Sequence, residues 1–279
     1  MRVSSLHIYP VKGARAVNCD QATTHARGFC NDRRWLVTDA DYRFLTQREC
    51  PALAQLIALP GTQDLSLSFE GCGEFTVASP ESGERSSITI WKDRVGALRA
   101  SADADAWLSD ALGRAVRLYY MDDAATRDTS GRWGAPAPVS FADGYPFLIT
   151  TTQSLEALNQ EIACGGGAAV GMERFRPNIV IDADRSWAED YWKVIKIGDV
   201  TFDLAKPCVR CVVTTKDQRT GESLGKEPLK SLGRIRRSTH PELSGALFGW
   251  NATPGNQGEV RVGDAVEVVE DRPEGWPLA

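Results

Sequence analysis

Residues 193–215, KVIKIGDVTFDLAKPCVRCVVTT, contain the clearest strand signals in the chain and its one pair of closely spaced cysteines. The runs 193–197 and 200–204 alternate apolar and polar residues, and the intervening Gly198-Asp199 has the letters of a tight turn. This pattern predicts an antiparallel hairpin. Residues 212–215, VVTT, are rich in β-branched side chains and predict a continuing strand after the cysteines.

Strand signals outnumber helix signals in the rest of the chain. Further strands are predicted at 3–11, 34–38, 65–69 and 177–182, and in a closing hairpin of 259–263 with 265–270. Helices are predicted from a cap at Ser101 or Asp103 to a stop at Gly113, at about 153–162, and around 228–237. Because long helices do not alternate with the strands, we predict a mainly β (α+β) fold, a barrel or sandwich with a few outer helices.

The domain organisation is indicated by residues 122–138, DDAATRDTSGRWGAPAP, which lack hydrophobic periodicity and are dense in loop-forming residues. At 279 residues the chain is longer than the typical single domain of roughly 150 residues. We therefore predict two modules, 1–121 and 122–279, which share one site.

Composition excludes several classes of protein. The net charge is -5, so the overall field does not favour nucleic acid or an anionic membrane surface. The first residues lack the apolar run of a signal peptide, and nothing later approaches the roughly 18 apolar residues of a membrane span. Seven cysteines, an odd number spread thinly, argue for reduced thiols. We expect a cytoplasmic protein.

The Cys208-x-x-Cys211 pair leaves several alternatives open. A tetrahedral zinc site requires four ligands, yet no second pair exists and His240 is distant in sequence. A thioredoxin-like redox pair normally begins a helix, whereas a strand is predicted here. One cysteine could instead ligate a metal carried by an organic cofactor, with Arg210 nearby. Two buried, chemically silent cysteines remain the simplest alternative.

Other candidate residues are cations and one acid in short turn-like segments. Lys12 and Gly13 in IYPVKG could hold a phosphate, and arginines at strand ends suit bidentate capture of phosphate. The remaining candidates are Arg33, Arg34 and Arg48, the Arg176-Pro177-Asn178 corner, and Asp143 in FADGYP as a proton donor or hydrogen-bond acceptor. Taken singly, each is also an ordinary surface or turn residue.

The segment 206–237 is basic within an acidic protein. It contains nine basic and three acidic residues, an imbalance that suits an anionic cofactor or an acidic redox partner. Part of this charge is also explained as the solvated face of the predicted helix around 228–237. The segment lacks the interleaved aromatic residues typical of nucleic-acid binding.

Together these segments resemble a known family. IYPVKG, DRRWLV, FLTQRE, FADGYPFL, FRPNIVI, KPCVRCVVTT and KEPLKSL occur in one order over about residues 5–270. The chain resembles molybdenum-cofactor sulfurase C-terminal (MOSC) domain proteins with an N-terminal β-barrel domain, in particular the bacterial YcbX proteins and the mitochondrial amidoxime-reducing component family. The implied fold is an N-terminal β-barrel-like module followed by a MOSC-type β-barrel with outer helices.

The resemblance implies a molybdopterin cofactor whose molybdenum is ligated by Cys211, with Asp143 as our hypothetical proton-handling residue. The implied cofactor contacts are Lys12, Gly13, Arg33, Asp143, Gly144, Tyr145, Arg176, Asn178, Val209 and Arg210, with Arg48 and Asn251 as further candidates. At Gly13, Val209 and Asn251 this chain departs from the mitochondrial members, which carry hydroxyl residues or a tyrosine there.

The implied activity is two-electron reduction of small N-hydroxylated compounds such as hydroxylamines, amidoximes and N-hydroxylated bases. No cysteine follows Cys211, so an iron–sulfur domain is not expected after it, and we expect electrons from a separate flavin/iron–sulfur or ferredoxin-like protein that docks near 206–237. The alternatives are a non-catalytic carrier of molybdenum cofactor or of persulfide sulfur, and a zinc- or thiol-based regulatory module built on Cys208 and Cys211.

Overall fold

The structure is a computed structural model that describes residues 1–278. Its strands in chain order are β1 (Arg2–Ile8), β2 (Val17–Cys19), β3 (Gln21–His25), β4 (Gly28–Phe29), β5 (Trp35–Thr38), β6 (Ile57–Pro60), β7 (Asp64–Phe69), β8 (Gly73–Ala78), β9 (Arg85–Ile90), β10 (Asp93–Arg99), β11 (Arg117–Tyr120), β12 (Phe147–Thr151), β13 (Ile179–Asp182), β14 (Trp192–Ile197), β15 (Val200–Val209), β16 (Leu247–Pro254), β17 (Gly258–Arg261) and β18 (Val266–Asp271).

Helices are α1 (Ala102–Leu112), α2 (Thr152–Cys164) and α3 (Leu229–Ile235), with short 3₁₀ turns at Pro51–Gln55, Met172–Phe175, Ala188–Tyr191 and Val212–Thr215. The largest sheet has eight strands in the order β18-β14-β15-β16-β12-β13-β1-β2, and the others are β5-β11-β10-β9, β17-β3-β4 and β6-β7-β8. The predicted mainly β fold with barrel-like modules is confirmed. Over residues 1–278, no helix has the length and apolar character needed to cross a membrane.

Local sequence signals explain several elements. Ser101 caps α1 by accepting a hydrogen bond from the Ala104 amide at 3.0 Å, and Gly113 ends the helix at φ +65°. The hairpin predicted around Gly198-Asp199 is formed by β14 and β15, with Gly198 at φ +54°. Positive φ at that position favours glycine.

Two predicted elements are wrong. Residues 259–270 do not form a closing hairpin, because β17 pairs with β3 whereas β18 pairs with β14. Residues 212–215 form a 3₁₀ turn rather than a strand. β15 pairs at Val209 with Leu247, the first residue of β16, and the Arg210 amide donates to the Ala246 carbonyl at 2.8 Å just before Cys211. The hydroxyl groups of Thr214 and Thr215 then donate to backbone carbonyls within the turn.

Both halves of the chain contribute to the large sheet. β1 pairs with β13 and with β2, so the first strands lie in a sheet built mainly from the second half. A second core, which includes Trp35, Leu53 and Leu108, lies among β5 to β8 and α1. The division between residues 121 and 122 stays a prediction, and strand pairing crosses it.

Candidate functional site

A cleft of about 420 Å³ lies where the two halves of the chain meet. β1 and β13 are antiparallel and β12 and β13 are parallel, so the end of β1 and the starts of β12 and β13 share one edge of the large sheet. Residues that immediately follow β1 or precede β12 and β13 line the cleft, together with the segment after β15 and residues from the first half.

Every residue that the resemblance implies as a ligand or cofactor contact, and the further candidates Arg48 and Asn251, lie along this cleft. The candidate Arg34 does not, because its guanidinium donates to the Met121 carbonyl at 2.6 Å and to Asp123 Oδ1 at 2.9 Å. The lining includes Lys12, Gly13, Arg33, Arg48, Asp143, Gly144, Tyr145, Arg176, Asn178, Val209, Arg210, Cys211 and Asn251. These residues come from seven separate segments, so the structure brings together what the sequence shows only in scattered motifs. Their roles stay predictions.

Sequence reasoning missed other residues of the lining. Gln47, Trp91 and Arg174 also face the cleft, as does Cys208, for which no role was assigned. Gln47 lies within the FLTQRE motif and Arg174 directly precedes FRPNIVI, and those positions are the signal that could have indicated them. Trp91 is an isolated tryptophan between two strands, and nothing in the sequence connects it with this site.

The cleft is strongly cationic. Among residues 1–278, its lining has a single carboxylate, Asp143, and six cationic side chains: Lys12, Arg33, Arg48, Arg174, Arg176 and Arg210. Within a partly enclosed space, such an excess of positive charge favours an anionic ligand.

A buried tyrosine fixes two of these cations. The guanidinium groups of Arg33 and Arg176 lie over the ring of Tyr9, at 4.4 and 4.2 Å from its centroid, and the Tyr9 hydroxyl donates to the Pro177 carbonyl at 3.0 Å. Burial raises the pKa of Tyr9 to about 12 and lowers that of Arg176 to about 10. Both arginines remain charged near neutral pH, and their position is set before any ligand arrives.

The backbone at these arginines is in an uncommon conformation. Arg33 has φ +51° and Arg176 has φ +55°, in the left-handed region that side chains other than glycine rarely occupy. Arg33 is secured by hydrogen bonds from its guanidinium to Asp32 at 2.6 Å and to the side-chain oxygen of Asn178 at 3.1 Å. Residues keep such a strained backbone conformation only where the surrounding structure holds them in it. Residues of this kind are concentrated at functional sites.

Lys12 and Asp143 form an ion pair at the cleft. The ammonium group of Lys12, which is 8% exposed, donates to Asp143 Oδ1 at 2.5 Å. Burial lowers the pKa of Lys12, and the carboxylate of Asp143 opposes that shift. The side chain of Asp143 is 76% exposed, and the neighbouring cations Lys12 and Arg33 hold the pKa of its carboxyl well below the usual range. Asp143 is therefore an anion near neutral pH and is better placed to accept a hydrogen bond than to donate a proton.

The two cysteines differ in their surroundings. Cys208 accepts a hydrogen bond from the guanidinium of Arg210 at 2.8 Å, and the same guanidinium donates to the Phe175 carbonyl at 2.7 Å. Cys211 is exposed at the start of the 3₁₀ turn Val212–Thr215. The thiol of Cys211 is thus open to the cleft, whereas Cys208 is engaged by an arginine.

The donor groups fit an anionic organic cofactor that brings its own metal ligands. Within the described chain, residues 1–278, no three His, Cys, Asp or Glu side chains form a metal-sized group. Arg210 Nε and Gln47 Oε1 are buried and have no hydrogen-bond partner within the same residues, as expected for groups that a ligand would satisfy.

A side chain at Gly13, which has φ +85°, would crowd Leu53 at 3.3 Å and would be strained.

A wider groove of about 660 Å³ lies between β7, β8 and the 219–222 loop. Its charged lining is mixed, with Arg15 and Arg219 opposed by Glu70, Glu74 and Glu222. It has neither the cationic excess nor the thiols of the cleft, so size alone does not identify the site.

Two family profiles match the chain. The MOSC N-terminal beta barrel domain matches residues 1–115, and the MOSC domain matches residues 136–267. The chain therefore belongs to the MOSC family, with the N-terminal barrel domain preceding the MOSC domain, and the predicted resemblance is confirmed.

Relatives with assigned names extend over nearly the whole chain. It is 31% identical over 283 residues to mitochondrial amidoxime-reducing component 1 of Mus musculus, covering 96% of this chain and 82% of the mouse protein. The Homo sapiens protein of the same name is 31% identical over 288 residues, with the same coverage of 96% and 82%. Molybdenum cofactor sulfurase of Danio rerio is 29% identical over 276 residues, which cover 87% of this chain but 33% of the fish protein.

Proposed function

We propose that this protein is a molybdenum-cofactor-dependent reductase of N-hydroxylated compounds. The observation that carries the proposal is an exposed thiol, Cys211, beside six cations in a cleft between two β modules. The names of the Mus musculus and Homo sapiens relatives, amidoxime-reducing components, support the reaction class. When bound, a molybdenum–molybdopterin group would supply the two electrons that convert an N–OH group to N–H, a conversion that also takes up two protons and releases water.

The chain's own residues would bind and orient that group. Arg33 and Arg176, prepositioned on the Tyr9 ring, suit bidentate contacts to a phosphate, and the unpartnered Nε of Arg210 adds a donor. Lys12 adds a point charge. The thiolate of Cys211 would be the metal ligand. The remaining predicted contacts, Gly144, Tyr145, Val209 and Asn251 among them, would shape the walls around it.

Proton handling by Asp143 stays a prediction. Because its carboxylate is held ionised, its direct contribution would be to accept a hydrogen bond from a substrate N–H and to keep Lys12 charged. A proton could still pass through the Lys12–Asp143 pair, in which the ammonium group carries the hydrogen that it donates to Oδ1 at 2.5 Å.

The experiment is to purify the whole chain from a host that makes molybdopterin, and to measure molybdenum, pterin and benzamidoxime reduction with reduced methyl viologen. We expect near-stoichiometric molybdenum and pterin, with turnover that depends on both. Stoichiometric zinc without pterin would contradict the proposal and would revive the zinc- or thiol-based module.

A carrier of molybdenum cofactor or persulfide sulfur is the second candidate, because the Danio rerio relative is a molybdenum cofactor sulfurase. The same preparation separates the two functions. A protein that contains molybdenum and pterin but reduces neither benzamidoxime nor a simple hydroxylamine would favour the carrier.

We also propose that the electrons come from a separate redox protein with an acidic surface. The exposed basic residues of 206–237, which include Arg219, Lys226, Lys230 and Arg237, follow the cleft segment in sequence and support such docking. Reduction by a physiological flavin/iron–sulfur or ferredoxin-like donor should slow as ionic strength rises, whereas reduction by methyl viologen should not. A donor whose rate is indifferent to salt would contradict this docking surface.

A further inference from the structure

Trp91 occupies the tip of the β9–β10 hairpin and lines the same cleft as Cys211. Its backbone has φ +53°, a left-handed conformation in which tryptophan is rare and strained. Hairpin tips ordinarily place glycine, asparagine or aspartate at such positions, so a turn alone does not account for this residue.

The ring is held from several sides but is not buried. The Phe44 ring packs against it edge-on with centroids 4.9 Å apart, and the Arg48 guanidinium lies 5.2 Å from its centroid. Its Nε1 donates to Asp143 Oδ1 at 3.2 Å. Even so, 46% of Trp91 is exposed. An aromatic ring that is fixed in place and still half open is a preorganised surface for stacking.

The carboxylate beside the indole ring suits a substrate with N–H groups and does not suit the cofactor phosphate. Both hydrogen bonds to Asp143 reach Oδ1, and within residues 1–278 no donor reaches Oδ2. An ionised carboxylate repels a phosphate and attracts N–H donors. The arginines that suit a phosphate are instead those stacked on Tyr9.

The geometry points to Trp91 as the residue that selects planar aromatic substrates: their ring stacks on the indole while an amidine N–H donates to Asp143. This inference rests on the proposed reductase function and adds its substrate class. Trp91 acts by binding and orienting the substrate, so its removal should change KM and Kd far more than kcat.

The test compares benzamidoxime with acetamidoxime, which carries the same N-hydroxyamidine group without the ring. Wild type, Trp91→Ala, Trp91→Phe and the control Lys92→Ala are prepared as cofactor-loaded protein, with melting temperature, molybdenum and pterin measured for each. Lys92 is the exposed neighbour at the same hairpin tip and does not line the cleft. Calorimetric Kd is measured without an electron donor, and KM and kcat with reduced methyl viologen.

We expect Trp91→Ala to raise both Kd and KM for benzamidoxime about tenfold, the size of one lost aromatic stack. Acetamidoxime should be unaffected, Trp91→Phe should retain most of the affinity, and Lys92→Ala should match wild type. An equal loss for both substrates, or loss of pterin from folded Trp91→Ala, would overturn the inference, the latter because the ring would then be holding the cofactor.

The two proposals fail in different ways. Wild type that reduces both compounds, with Trp91→Ala changing Kd and KM for both by the same factor or for neither, overturns the role of Trp91 and leaves the reductase function intact. Wild type that is fully loaded with cofactor and reduces neither compound overturns the reductase function, and with it the substrate class inferred here.

Discussion

The cationic cleft around Cys211 and the buried acid cluster of Glu189, Asp190 and Arg236 both contain strongly perturbed charged groups. In the acid cluster, burial and the neighbouring charge of Asp190 raise the pKa of Glu189 to about 7. Asp190 is paired with Arg236 at 2.7 Å and accepts from the Trp250 indole at 2.9 Å. Glu189 and Asp190 are only 1% and 4% exposed. Both side chains are therefore too deeply buried to contact a ligand.

The two regions differ in charge balance and access. The acid cluster balances Asp190 with Arg236 and keeps Glu189 largely neutral below about pH 7, whereas the cleft has six cations, one carboxylate and open volume. A strongly shifted pKa therefore does not by itself identify a functional site. It indicates such a site only where the surrounding charges are unbalanced and a ligand has room to compensate them.

The largest effect is expected for Cys211→Ser. Serine is a poor ligand for a metal that favours thiolate, so molybdenum content and activity should fall more than about 100-fold. The control Cys208→Ser should keep most of the metal, because Cys208 is engaged by Arg210. Molybdenum analysis and benzamidoxime turnover check both variants. Full activity and an unchanged metal environment in Cys211→Ser would contradict the ligand assignment.

A matched pair of arginine variants tests the comparison directly. Arg236→Gln leaves the buried charge of Asp190 uncompensated and should lower the free energy of unfolding by about 3–5 kcal/mol. Arg176→Gln removes one cation from a group of like charges, so the cofactor-free protein should keep its stability while cofactor retention falls about 10- to 100-fold.

Urea unfolding of cofactor-free protein and pterin content after dialysis separate the two outcomes. Arg237→Gln, at an exposed position outside both regions, serves as the control. The proposed difference between the cleft and the acid cluster would be contradicted if Arg176→Gln lowered the free energy of unfolding as much as Arg236→Gln does and still retained its cofactor.

A smaller effect, which depends on pH, is expected for Glu189→Gln. The folded pKa of about 7 lies above the ordinary value of 4.5, so the folded state binds the extra proton. The stabilisation is complete below about pH 4.5 and is lost as pH rises through 7. Glutamine resembles the protonated acid, so the variant should become more stable than wild type by up to roughly 3 kcal/mol at pH 8.

Urea unfolding of wild type and variant at pH 5 and pH 8 measures this difference. Glu156→Gln, at an exposed position on α2, should show no comparable change with pH. A pH-independent difference for Glu189→Gln would mean that Glu189 is not kept protonated by its surroundings.

The smallest effect is expected for Asp143→Asn. Removing this anion removes the charge that raises the pKa of Lys12, so the alkaline limb of kcat/KM should shift to lower pH, with little change near pH 6. The pH profile of benzamidoxime reduction records the shift. A loss of about 100-fold or more at every pH would instead support proton transfer through Asp143.

Much of the site was predictable because its residues lie in short motifs with specific letters. Lys12 in IYPVKG, Arg176 in FRPNIVI and Cys211 in KPCVRC all line one cleft. Trp91 was missed because its importance comes from a contact with Asp143, 52 positions away, which hairpin packing alone decides. The depressed pKa of Asp143 was not predictable either, since it depends on the approach of Lys12 from the other half of the chain.

By itself, the sequence determined the local elements: the Ser101 cap and Gly113 stop of α1, the Gly198 hairpin and the mainly β class. These depend on neighbours within a few residues, where side-chain chemistry acts directly on the backbone. Tertiary structure decided that β17 pairs with β3, that residues 212–215 turn instead of extending, and that the pKa of Asp143 falls while that of Glu189 rises. Strand partners and electrostatic neighbours are distant in sequence, so folding alone places them within reach.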